Sequence, residues 1–186
     1  MSQSELLARL ENDLSDILKR VRTGFAERPK EALLLRTKPD KWNILDHFAH
    51  LNAQFDYYLP RIELALHKAK ARQWRQDTER RSNWLGRRAI RSADPVYMDV
   101  NPRRSPKNID PKRTLTVREH ELKAFLINIE LLLRLVKQAQ EVDLNRAKVK
   151  PMRWSLYAFL SGDLFEYLTL HTQRHLLHIE KMMNDE

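Results

Sequence analysis

Leu6, Leu10, Leu14, Ile17, Val21 and Phe25 recur at steps of three and four residues. That spacing brings each side chain back to one face of an α-helix, and no strand register reproduces it. The same period returns three more times. Ile44, Phe48, Leu51, Phe55, Leu59, Ile62 and Leu66 make a second stripe. Phe125, Ile129, Leu132, Leu133 and Val136 make a third. Leu156, Leu160, Leu164, Tyr167, Ile179 and Met182 make a fourth. Strand-like alternation of β-branched residues is missing, and the chain has only three glycines, so turn-rich sheet architectures are disfavoured.

The boundaries follow from local chemistry. The first helix is expected over about 4–26, with Ser2 and Glu5 as a capping box and Gly24 near its end. The second runs from about Asp40 to Ala71, with a kink expected at Pro60. The third is expected from Thr116, capped with Glu119, to about Gln140, and the fourth from about Ser155 to Met183. "DLNRAKVKPMRW" reads as a linker between the last two. Four amphipathic helices in 186 residues predict an all-α four-helix bundle in a single domain over 1–186. No internal repeat is visible. The first connection is short and the second is long, which predicts the order up–down–down–up.

The long connection over residues 72–113 contains Pro95, Pro102, Pro106 and Pro111. A connection of that length in a small domain is functional or ordered against the body. "SNWLGRRAI" is expected to form a short helix within it, burying Trp84 and Leu85. The formal net charge is +9. Residues 72–118 hold 13 Lys/Arg against 5 Asp/Glu, so most of the excess lies there. The bland reading of this segment is a solvated charged loop. The functional ones are attraction of an anionic small molecule or, with Trp74, Trp84 and Tyr97 as stacking surfaces, contact with nucleic acid. No nucleic-acid motif is present, so that partner is disfavoured. No apolar run approaches the ~20 residues that span a bilayer. The polar start "MSQSELLARLENDL" lacks a secretory apolar core, so the expected location is the cytoplasm. Cysteine is absent, which excludes disulfides and thiolate ligands and requires any catalytic thiol to come from outside.

The chemistry-bearing residues are histidines. "HTQRHLLHIEKMM" places His171, His175 and His178 in one inward sector of the fourth helix. At about 100° per residue, His171 and His175 lie roughly 40° apart. Buried imidazoles need partners. A His-x-x-x-His pair suits one metal ion, and it equally suits a hydrogen-bonded structural pair. Thr172 follows His171, so the zinc-hydrolase motif with Glu at that place is absent. Candidates for a third ligand are His47 and His50 in "KWNILDHFAHLN". The stripe centred on Ile44, Phe48 and Leu51 favours His47. Asp46 lies one turn before His50 and is a candidate to orient it. Tyr167 and Arg174 are candidates to line the same region; their bland roles are core filling and a surface ion pair.

Trp42, His50 eight residues later with Leu51 after it, and the late "HTQRHLLHI" together resemble the DinB-like superfamily. The resemblance covers nearly the whole chain in helix order. It implies a four-helix bundle, usually dimeric, with nickel, zinc or another divalent ion on His50, His171 and His175. It sets the register by Trp42 and so favours His50 over His47, leaving His178 beside the site. Some members of that superfamily are S-transferases or isomerases that use a low-molecular-weight thiol. The chemistry implied is a metal-activated external thiol or water acting on an electrophile. The alternatives are a non-catalytic binding module and a metal-stapled structural dimer.

Overall fold

The computed structural model describes residues 1–36, 38, 41–77, 79–98, 109–114, 120–152 and 156–184. Helix α1 spans Gln3–Phe25, α2 Lys30–Leu34, α3 Ile44–Ala71, α4 Trp84–Ala93, α5 Pro111–Thr114, α6 Glu121–Gln138 and α7 Ser161–Asn184. The fold is mostly helical, as the periodicity predicts. One short antiparallel pair joins β1 (Lys148–Val149) to β2 (Phe159–Leu160).

The apolar stripes become the core. Leu6, Leu10, Leu14, Ile17 and Val21 of α1 are buried, as are Phe48, Leu51, Phe55, Leu59 and Ile62 of α3. Each fully buried side chain of this size contributes about 1.5–3 kcal/mol. Phe125 of α6 packs its ring 4.8 Å from Phe48 and 6.1 Å from Phe55, which locks α3 to α6. Helix α1 packs on α6 and α7, and α3 packs on the same two.

Caps set the helix starts. Ser2 and Glu5 form the expected box on α1. Asn43 and Asp46 form a second box on α3, with Asp46 N–H donating to Asn43 Oδ1 at 2.7 Å and Asn43 N–H donating to Asp46 Oδ2 at 3.0 Å. The expected start at Asp40 lies outside the described residues, and the Asn43 box places the first turn at Ile44. Pro60 lies within α3 without ending it.

Three expectations change. The fourth helix begins at Ser161, because Phe159 and Leu160 pair with Val149 and Lys148 in the middle of the supposed linker. Leu156, read as part of the apolar stripe, is therefore outside the helix and 91% exposed. The short helix in the basic connection forms as α4 and buries Leu85, but Trp84 faces outward and meets Tyr157 edge-on at 5.3 Å. Helix α2 was not anticipated. The Thr116 and Glu119 cap, Pro102, Pro106 and the expected start at Ser155 lie outside the described residues.

The connection is fastened by buried charge. Asp163, fully buried at the start of α7, accepts from Arg80 at 3.0 Å and from the Asn83 backbone N–H at 3.1 Å. Glu166 accepts from Arg80 and Arg9. Burial pushes the Asp163 carboxyl up, and the neighbouring Ser82, Asn83 and Arg80 oppose that shift. Because Asp163 and Glu166 both hold Arg80, the chain before α4 is fixed against α7.

Candidate metal centre

Helix α3 carries His47, His50 and Gln54, each separated from the next by about one turn, so all lie on the face toward α7. The reciprocal Asn43–Asp46 cap fixes where that face begins. Helix α7 carries Tyr167, His171, Arg174, His175 and His178 along the opposing face. Turn for turn, His50 meets His171, and His47 meets His175.

One ring nitrogen from each of His50, His171 and His175 can be chosen so that all lie within 4.8 Å of one another. His50 Nδ1 lies 2.9 Å from the Ile109 carbonyl. A carbonyl only accepts, so His50 Nδ1 carries the proton and Nε2 holds a lone pair. That Nε2 stands 3.1 Å from His171 Nε2. Gln54 Nε2, a pure donor, is 3.3 Å from the first and 3.0 Å from the second. His175 Nδ1 is held 2.8 Å from His47 Nδ1, which leaves His175 Nε2 for another partner.

Trp42 closes one side. Its ring stacks on His175 at 6.0 Å, meets His47 edge-on at 5.2 Å and lies tilted against His50 at 5.1 Å. Tyr167 stacks on His171 at 5.5 Å and donates its hydroxyl to Gln54 Oε1 at 3.1 Å. His178 lies beyond, 6.1 Å from His47 and 6.3 Å from His175, ring centre to ring centre. His50, His47 and His175 are buried and His171 is half-buried, so the cluster is most open at His171.

Every imidazole in the cluster is biased toward its neutral form. Burial pushes His47 down to about 3, helped by the charges of His178 and His50. Burial also lowers His50, against the opposing hydrogen bond to Ile109. His171 and His175 are pushed well below the ordinary range by burial and by neighbouring positive groups, including Arg174 at His171. Neutral imidazoles whose ring nitrogens converge are the donors a divalent cation requires. The residues therefore fit a metal ion.

The other sequence candidates take definite places. Asp46 caps α3 and pairs with Arg36 at 2.8 Å; the group holding His50 Nδ1 is the Ile109 carbonyl instead. Arg174 is buried and donates to the carbonyls of Ser92 and Met98 at 3.4 Å. It thus ties the basic connection across the site. Tyr167 both fills space and reaches the cluster. Sequence reasoning missed Gln54, Ile109 and the covering role of Trp42. Gln54 was recoverable, since it lies four residues after His50 on a helix. Ile109 was not, because it acts through its backbone in an irregular segment.

A helical fold with a buried three-histidine cluster able to hold a divalent ion defines the class. The family model described as the DinB superfamily matches residues 6–179, and the chain belongs to that superfamily. No curated protein and no solved structure matches it.

Proposed function

We propose that this protein binds a divalent metal ion, nickel or zinc, through His50, His171 and His175, and uses it to activate an external nucleophile. The observation carrying the proposal is the convergence of three neutral imidazoles within 4.8 Å. A bound divalent ion supplies Lewis acidity and lowers the pKa of a protic ligand. The protein's residues do the rest. Ile109 fixes the His50 tautomer, His47 holds His175, and Trp42 excludes water from one side.

The reaction class is attack of a low-molecular-weight thiol or of water on an electrophile, as in an S-transferase or a hydrolase. The chain contains no cysteine, so the thiol is a co-substrate. The half-buried state of His171 supports access by a small molecule over a closed structural site. The exposed Arg87, Arg88 and Arg91 of α4, which packs on α7, favour an anionic one.

The reading extends to architecture: a single domain over 1–186, in the order up–down–down–up, acting as a homodimer. Pairs between helices support that order. Arg9 with Glu166 and Arg20 with Glu180 suit parallel α1 and α7. His47 with His175 and Gln54 with His171 suit antiparallel α3 and α7. Asn52 with Glu121, at the start of α6, and Lys70 with Glu141, just past its end, suit parallel α3 and α6.

Metal analysis of purified protein tests the central claim. A single divalent ion per chain is expected, and His175→Ala should lose it. Unchanged metal content in that variant would sink the assignment. A screen of thiols against an electrophilic acceptor, with and without chelator, then tests the reaction class.

A further inference from the structure

Gln54 is 4% exposed and has both ends of its amide engaged. Its Nε2 faces His50 Nε2 at 3.3 Å and His171 Nε2 at 3.0 Å. Its Oε1 accepts from the Tyr167 hydroxyl at 3.1 Å. An amide is nearly symmetric in shape but not in chemistry, since one end donates and the other accepts. The His50 tautomer fixed by Ile109 presents a lone pair, and with the His171 proton on Nδ1 the NH2 group beside both Nε2 atoms supplies a hydrogen to each. That arrangement satisfies the imidazoles when no ion is between them.

A cation on those lone pairs reverses the requirement. Donor hydrogens would then face positive charge, while an amide oxygen would face it favourably. A half-turn about the last side-chain bond exchanges the two ends with little movement of the rest of the residue. The Tyr167 hydroxyl serves both arrangements. It donates to Oε1 in one and accepts from Nε2 in the other.

We propose that Gln54 is a fourth metal-facing protein group. Its NH2 occupies the imidazole lone pairs when they are free, and its amide oxygen turns to the ion when one is bound. This rests on the reading of His50, His171 and His175 as ligands. A nitrogen-rich set completed by a carbonyl-type oxygen suits zinc, nickel or cobalt and disfavours copper(I), which selects sulfur.

The test is titration of the full chain with Zn2+ against a chromophoric chelator, together with the Co2+ absorption spectrum. Wild type, Gln54→Ala, Gln54→Glu and His171→Ala are compared. Gln54→Ala should weaken Zn2+ binding roughly 10–100-fold, the range typical for groups that support a metal site, and should shift the Co2+ spectrum. Gln54→Glu keeps an oxygen but has no N–H, and should bind at least as tightly as wild type with a Co2+ spectrum close to it. If Glu weakens binding as much as Ala, the amide acts only as a hydrogen-bond donor and the proposal is wrong. Unchanged affinity in both variants also overturns it. If wild type binds neither ion, or His171→Ala binds as tightly as wild type, the three-histidine reading fails and takes this proposal with it. Should Gln54→Ala fail to fold, Gln54→Glu alone decides.

Discussion

His47 and His175 are hydrogen-bonded through their Nδ1 atoms, 2.8 Å apart, across the contact of α3 and α7. If His175 offers Nε2 to an ion, its Nδ1 must donate, and His47 must accept at Nδ1 and carry its own proton on Nε2. A histidine thus does what a carboxylate or carbonyl does at many metal-bound imidazoles. His47→Phe fills the space but removes the acceptor. It should weaken Zn2+ binding roughly 10–100-fold while leaving the helical circular dichroism unchanged. Wild-type affinity in His47→Phe would show that His175 needs no such partner.

Trp42 lies against three of the imidazoles, stacked on His175 and inclined to His47 and His50. Its fluorescence should therefore report the state of the cluster. Adding Zn2+ should change the emission of wild type, and Trp42→Phe should lose that change while still binding the ion. A response that survives in Trp42→Phe would place its source at another tryptophan.

The fold was legible where helical period and burial coincide, as in Leu6 to Val21 and Phe48 to Ile62. It was less legible where tertiary contacts override local pattern. Leu160 fits a helical stripe, yet it pairs with Lys148 and delays α7 to Ser161. For the site, periodicity alone favoured His47 over His50. Both are buried and both touch α7, because α3 packs on two neighbours and its buried face is wide. The stripe centre therefore carries little information about which imidazole meets which. Trp42, whose place in the sequence set the register toward His50, packs on the cluster against His47 and His50 alike. The Ile109 carbonyl, like any backbone acceptor in an irregular segment, leaves no residue-type signal.

Buried neutral imidazoles make stability depend on pH. His47 has its folded pKa lowered to about 3, below the unfolded value near 6.5. Above pH ~6.5 both states are neutral at this site, and the shift has no effect. Between about 6.5 and 3 the unfolded chain binds the proton and the folded chain does not, so stability falls as pH falls. The slope is about 1.4 kcal/mol per pH unit for each imidazole in this condition. His50, His171 and His175 are shifted in the same direction and should steepen it. In metal-free protein, urea midpoints should drop between pH 7 and pH 5, and His47→Phe should flatten the drop. Midpoints independent of pH over that range would contradict the burial of these rings.

Gly86 sets two effects of opposite sign against each other. It lies inside α4, where replacing glycine by alanine ordinarily favours the helix by about 1 kcal/mol. A Cβ at Gly86 would stand 1.9 Å from Asp163 Oδ2 and 2.5 Å from its Cβ. Asp163 cannot swing aside easily, because it is fully buried and holds Arg80 and the Asn83 backbone N–H. The clash should therefore win. Gly86→Ala is expected to lower stability by about 1–3 kcal/mol, the range for overpacking a filled interior. Chemical denaturation measures it directly. A variant as stable as wild type would mean that α4 can shift away from α7, and that the buried carboxylate does not fix the basic connection in place.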